Sequence, residues 1–318
     1  MLKRTRPAVD DTIEPRHGVS RGGQPISYNR APAPDLSPWI ARLYATVVQA
    51  PADYRLDCGL FNDTSFIRIQ LKGDWTAETA DGPRASSRAA LFFGPQTSRM
   101  PISVTGSFTS IGIALRPGTG HALRGLNTAD YCDRLLPCSD LGLPGDAALA
   151  VLENHTEPEQ WLIMLEAMIR QILADSGGAE PDPVSARFEA LAFTDPSAPV
   201  AEFARECGIT QRRLERIISR DFGMAPKQVL RRARALDMAS HLRGVADSAE
   251  AEELILRYYD QSHLIREFTK LFGMSPSQFI ARPQPILTLA LESRQARRLE
   301  LIERLAPGAA RPWEWPRA

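Results

Sequence analysis

Phe222-Gly223-Met224-Ala225-Pro226-Lys227-Gln228 recurs as Phe272-Gly273-Met274-Ser275-Pro276-Ser277-Gln278, 50 positions later. The echo runs upstream through Gln211/Gln261, Leu214/Leu264 and Arg216/Arg266, with apolar Ile218/Phe268 after them. A self-match of this kind marks one supersecondary unit used twice. Each copy predicts a helix of about a dozen residues that closes at a Gly, followed by a turn and a Pro. Glycine suits the left-handed residue after a helix, and the Pro keeps the helix from continuing. Ahead of the first copy, Val200–Cys207 predicts a short helix, and Gly208-Ile209-Thr210 supplies a turn and a capping hydroxyl. Helix, Gly-centred turn and second helix make a helix-turn-helix, whose second helix enters a DNA major groove.

These residues resemble the AraC-type transcription regulators over roughly a third of the chain. The resemblance implies two helix-turn-helices joined by a long helix, here Gln228 to about Arg243, with Arg234 and Ala239 in the family's pattern. Tyr258–Phe268 is close to the family's second recognition helix. The second copy departs from the pattern at Glu253 and Arg257, where the first keeps Ala204 and Gly208. Ala permits close helix packing and Gly a left-handed turn, so a weaker second unit is expected.

A helix in a groove offers one face, so base readers sit at i, i+3 and i+4. With Leu214 and Ile218 inward, the first helix presents Arg212, Glu215 and Arg216, flanked by Gln211 and Arg213. With Leu264 and Phe268 inward, the second presents Ser262, Ile265 and Arg266, beside Gln261. Arg takes guanine bidentately, Glu accepts from cytosine, and Ile offers thymine a methyl contact.

The 318 residues carry 38 Lys/Arg against 38 Asp/Glu, so net charge alone says nothing about nucleic acid. The distribution does: Arg205–Arg243 holds ten basic residues against four acids, and Gly244–Arg282 four against six. The basic footprint is expected on the first unit and its bridge helix.

Residues 1–38 hold Pro7, Pro15, Pro25, Pro32 and Pro34 and few apolar clusters, the composition of a disordered tail. Residues 39–175 predict a β-rich domain ending in helices. Ile67, Ile69 and Leu71 alternate with Arg68, Gln70 and Lys72, as in a half-buried strand. Leu91-Phe92-Phe93 stops at Gly94-Pro95, and Ile111, Ile113 and Leu115 alternate with Gly112 and Ala114 before Arg116-Pro117-Gly118. Such spacing indicates a β-sandwich or cupin-like barrel. Gly94–Thr97 and Gly112–Gly118 are also similar to the sensory half of one branch of the AraC-type family. Arg116 is either an effector anchor or the partner of a carboxylate within the fold. Trp161, Leu162, Leu165, Met168, Ile169 and Ile172 form a helical stripe for either the β domain or a homodimer interface.

Residues 176–182 read as a linker, small, polar and punctuated by Pro. Residues 183–285 are the expected DNA-binding domain, and 286–318 a helix and tail. In that helix Arg294, Arg297 and Arg298 are balanced by Glu292, Glu300 and Glu303, a solvated face, and residues from Pro307 onward are expected to be disordered.

The five histidines are scattered, so no metal site, cofactor or catalytic residue is expected. Cys58, Cys132, Cys138 and Cys207 read as buried reduced thiols of a cytoplasmic protein, and no run suits a membrane span. The fold class is thus α+β multidomain: a β-sandwich or barrel with a helical segment, then an all-α tandem helix-turn-helix. The function implied is a non-enzymatic, effector-responsive regulator that binds double-stranded promoter DNA as a homodimer and contacts RNA polymerase. A protein-interaction regulator with a weakened second unit and a β-domain enzyme fused to a DNA-binding tail are the alternatives. The sequence leaves the sign of regulation open.

Overall fold

The computed structural model describes residues 6–247 and 261–314, the side chains of 261–263 excepted. One antiparallel sheet organises the N-terminal half. Its strands are β1 (Glu14–Pro15), β2 (Tyr28–Arg30), β3 (Ile40–Gln49), β4 (Arg55–Leu60), β5 (Phe66–Thr79), β6 (Gly82–Ser86), β7 (Ala89–Phe93), β8 (Met100–Leu115) and β9 (Leu135–Pro137). The two longest strands, β5 and β8, pair along their length with register shifts between Gln70 and Asp74. On its other edge β8 pairs first with β4 and then with β3, so the sheet curls about these two strands. Bulges of this kind bend a strand and raise its twist.

Strand periodicity of two sends alternate residues to opposite faces. Leu43, Ala45, Ile69, Ile111 and Ile113 lie on the outer face, in the cluster that receives Trp161, Leu162, Leu165 and Ile169. These belong to α3 (Pro158–Asp175), which follows α1 (Thr119–Arg124) and α2 (Gly145–Leu152). Trp161 also donates its indole N–H to Leu152 O at 2.9 Å. The helical stripe thus packs on its own sheet, and Trp161 and Leu165 are not free for a partner chain.

The inner face reverses an expectation. Arg68 and Gln70, at 5% and 1% exposure, are as buried as Ile69. The alternation in β5 was real, but both faces are covered. The polar one, with Arg42 and Tyr44 of β3 and Ser110 of β8, lines an interior cavity. Gly112 stands opposite Tyr44 and Arg68 in the strand register, and a Cβ there would sit 1.8 Å from Tyr44 Cζ. The glycine lets the tyrosine ring lie across the strand.

The helical half comprises α4 (Pro183–Thr194), α5 (Val200–Glu206), α6 (Gln211–Phe222), α7 (Pro226–Leu242), α8 (Gln261–Phe272), α9 (Pro276–Ala281) and α10 (Pro285–Leu301). Helix α4 starts where Asp182 accepts the Val184 N–H at 2.9 Å. Helix α10 lies against β3 and β4 on one side and α7 on another. It corrects the reading of a solvated extension: Leu287, Thr288, Leu291 and Glu292 are 0% exposed. Its arginines are paired inside, Arg294 with Asp63 and Asp237, and Arg297 with Glu189, while Arg298 donates to Phe193 O at 2.8 Å. The acids that balance this cluster come from other segments of the chain, not from the helix's own glutamates.

Both ends of the chain are likewise ordered where described. Ala8 N–H donates to Ile280 O at 2.8 Å, and Gln24 is 1% exposed. Trp313 is 3% exposed, its carbonyl accepts the Arg21 N–H at 2.9 Å, and Arg311 pairs with Glu292. Neither segment has a core of its own. Each gains order from polar groups and strand edges supplied by the rest of the molecule, which composition does not reveal. Arg243 joins them. It is 0% exposed and donates to Ala8 O and Gln24 Oε1, both at 2.6 Å, to Phe279 O and Arg282 O at 3.1 Å, and to Thr288 Oγ1 at 3.3 Å. Burial lowers its pKa to about 10.

Candidate DNA-binding interface

Helix α6 begins at Thr210, whose hydroxyl accepts the Arg213 N–H at 3.2 Å and satisfies one of the unpaired donors of the first turn. Leu214, Ile217, Ile218 and Phe222 enter a cluster with Phe188, Phe203 and Met224. Phe188 meets Phe203 and Phe222 edge-on at 5.2 and 5.6 Å. That burial turns Gln211, Arg212, Arg213, Glu215 and Arg216 into solvent. Gln211 donates to Glu215 at 2.9 Å, while among the described residues Arg212, Arg213 and Arg216 have no ion-pair partner. Three free guanidinium groups on one exposed helix face suit phosphates and guanine edges.

The far end of α6 is docked on the β domain. Gly223 closes the helix with φ of 77°, as its type foretold. It also has a role the sequence did not announce, since a Cβ there would meet Cys132 Sγ and Pro95 Cγ at 2.8 Å. Nearby, Arg116 donates to Ser37 O at 2.7 Å and pairs at 2.9 Å with Glu189 of α4, which Arg297 also approaches at 2.6 Å. Arg116 therefore clamps the sheet to the DNA-binding half, the internal partner of the two roles considered for it.

The bridge helix α7 narrows the expected basic footprint. Arg232, 1% exposed, donates to the Gln96 and Asp63 carbonyls, and Arg243 is buried as described. Arg234 holds Pro196 O at 2.9 Å and Glu267 at 3.3 Å, tying the first unit to α8. The exposed cations of this stretch are Arg205, Arg212, Arg213, Arg216, Lys227 and Arg231.

In the second unit Ile265, 40% exposed, and Arg266 face solvent. Phe268, Phe272 and Phe279 form a ring cluster, with Phe268 and Phe272 stacked at 4.2 Å. Ser275 and Gln278 complete a reciprocal cap at the start of α9, with distances of 2.9 and 3.3 Å. The side chains of Gln261 and Ser262, and the departures at Glu253 and Arg257, lie outside the described residues. Phe61 of the β domain meets Phe272 edge-on at 5.2 Å, so this unit packs directly on the sheet.

Among the described residues no three His, Cys, Asp or Glu side chains gather as a metal requires, and no helix is long and apolar enough to cross a membrane. Cys58 is 3% exposed, and burial pushes its thiol pKa up, opposite to what a nucleophilic cysteine needs.

An arginine-bearing helix, capped, exposed along its N-terminal half and mounted behind a shorter helix, defines a DNA-binding helix-turn-helix protein. Residues 203–282 match the family described as "Helix-turn-helix domain", which is of AraC type, and residues 28–137 match "Domain of unknown function (DUF6597)". The chain thus carries a DNA-binding helix-turn-helix domain of AraC type behind a β-rich N-terminal domain. No curated protein gives a sequence match. Among solved structures, it is similar to ToxT from Vibrio cholerae at 10% identity and a TM-score of 0.45, covering 75% of this chain and 97% of that one. Unsaturated fatty acid-bound ToxT from the same organism gives 11% and 0.42, covering 86% and 96%. The AraC-like transcriptional activator CuxR gives 15% and 0.29, covering 61% and 76%.

Proposed function

We propose that this regulator is cytoplasmic and reads a promoter operator with α6 and α8 in successive major grooves, α6 supplying most of the grip. The observation that carries the reading is the exposed row Arg212, Arg213 and Arg216 on a capped helix. Gln211 and Glu215 complete the face of α6, and Gln261, Ser262, Ile265 and Arg266 form that of α8. Homodimerisation and contact with RNA polymerase follow from the family resemblance. Effector response is supported by the cavity between the inner sheet face and α10, because α10 also pairs with Glu189 of the DNA-binding half.

The test uses the full chain and a pool of promoter fragments from its own genome. Binding is expected to weaken steeply with salt, by about 0.9 log units of affinity per log unit of salt for each phosphate neutralised. Binding that ignores salt, or no binding at low salt, overturns the proposal. Sedimentation of the full chain tests the homodimer, and a monomer at micromolar concentration contradicts it.

A further inference from the structure

Among the described residues, Arg68 is a cation buried without an anion. It is 5% exposed, and its guanidinium carbon lies over the Phe66, Trp75 and Phe93 rings at 5.4, 5.5 and 5.2 Å. Its one protein hydrogen bond there is a long one, from Nε to Tyr44 Oη at 3.5 Å, and Nη1 has no partner. Every other arginine lining the same cavity has a carboxylate: Arg42 has Glu300, Arg294 has Asp63 and Asp237, and Arg297 has Glu189. Contacts with aromatic faces recover only part of the cost of desolvating a guanidinium, and where buried Arg232 and Arg243 are met by several carbonyl oxygens in place of a carboxylate, Arg68 has neither. Arg68 therefore lacks a partner inside the fold, and it lines a cavity. The cavity between the inner sheet face and α10 measures about 80 Å³.

We infer that this cavity binds a small monocarboxylate, with Arg68 as its cation. A guanidinium matches a carboxylate bidentately; the rest of the lining is mixed, its polar part including Asn62, Thr64 and Ser110, and Phe66, Phe108, Ile286 and Leu289 supply an apolar side for a short hydrocarbon tail. Size limits that tail, since a cavity of about 150 Å³ takes a benzene ring and this one is about half as large. The inference deepens the effector reading above and rests on it for regulation, but the binding step involves no DNA. Ser293 and Arg294 of α10 line the cavity too, so the ligand touches the helix that grips the DNA-binding half.

The experiment is isothermal titration of the full chain, in carboxylate-free buffer without DNA, with acetate, propionate, butyrate, octanoate and inorganic phosphate. Saturable one-to-one binding of propionate or butyrate is expected, weakened at least about tenfold in Arg68→Met. Ser293→Leu, which fills the cavity from α10 and leaves Arg68 in place, is expected to abolish the heat and decides the matter if Arg68→Met does not fold. Unligated Arg68→Met is expected to melt no lower than the parent, since it removes an uncompensated charge. Absence of heat with every short carboxylate overturns the inference. So does equal binding by both variants, or binding of phosphate or octanoate alone. Loss of DNA binding by the regulator bears on the proposed function and leaves this result standing.

Discussion

The two copies of the repeat share one sequence pattern and differ in what they are built upon. In the first, Leu214, Ile217, Ile218 and Phe222 close a cluster made only of helices α4 to α7 and their turns. In the second, Phe268, Phe272 and Phe279 belong to the cluster that also holds Phe61, Trp75 and Phe108 of the sheet and Leu287 and Leu291 of α10. The first unit meets the β domain through a clamp at Arg116 and a close contact at Gly223. The second is continuous with it. A repeat in sequence therefore fixes turns and buried faces without fixing what each copy packs against. The copy that carries the exposed arginines thus has a cluster of its own, separate from that of the sheet.

The largest effect that sharpens this contrast is expected from Leu291→Asp. It places an unpaired charge in the shared cluster and should cost more than about 4 kcal/mol. Hydrogen exchange is expected to show the sheet and the second unit opening together. Ile218→Ala, at about 2–5 kcal/mol, should open the first unit while the sheet stays protected. Equal loss of protection everywhere for both variants would contradict two separate cores. Next comes Arg243→Ala, which strands several buried carbonyls and frees the N-terminal segment. A loss of about 3 kcal/mol in denaturant stability is expected, with early proteolysis before Gln24. Resistance to cleavage equal to the parent's would show that Arg243 does not hold that segment. Smaller again is Arg116→Ala. Glu189 keeps Arg297, so stability should fall by only about 1–2 kcal/mol, while exchange rises at the contact of α4 with the sheet. A larger loss would mean the clamp bears on both cores.

What was legible in the sequence is local. The Gly and Pro of each copy specify their own turns, and Leu214 and Ile218 specify which face of α6 is buried. The rest depends on contacts between distant segments. Arg68 and Gln70 alternate with Ile67 and Ile69 as outward residues of a half-buried strand would. Arg68 is buried because α10, more than 200 residues later, closes the cavity it lines, and Gln70 is buried where it accepts from Ser86 Oγ at 2.8 Å. Arg232 and Arg243 count as basic footprint in the sequence, yet the Gln96, Asp63 and Ala8 carbonyls take them inside. The stripe on α3 names its apolar character but not its partner. The terminal segments lack a core of their own, and Arg243 and Glu292, which order them, lie far away in the chain.

The central claim is that α6 carries most of the DNA grip and α8 less. Its most direct test is a set of binding isotherms for the full-length parent, Arg216→Ala and Arg266→Ala on one operator at one salt concentration. A bidentate Arg–guanine contact is worth about 1–3 kcal/mol. Arg216→Ala is expected to lose toward the upper part of that range and to relax one base position, with Arg266→Ala losing distinctly less. If Arg266→Ala proves the more damaging, the second unit is the principal reader and the asymmetry is contradicted.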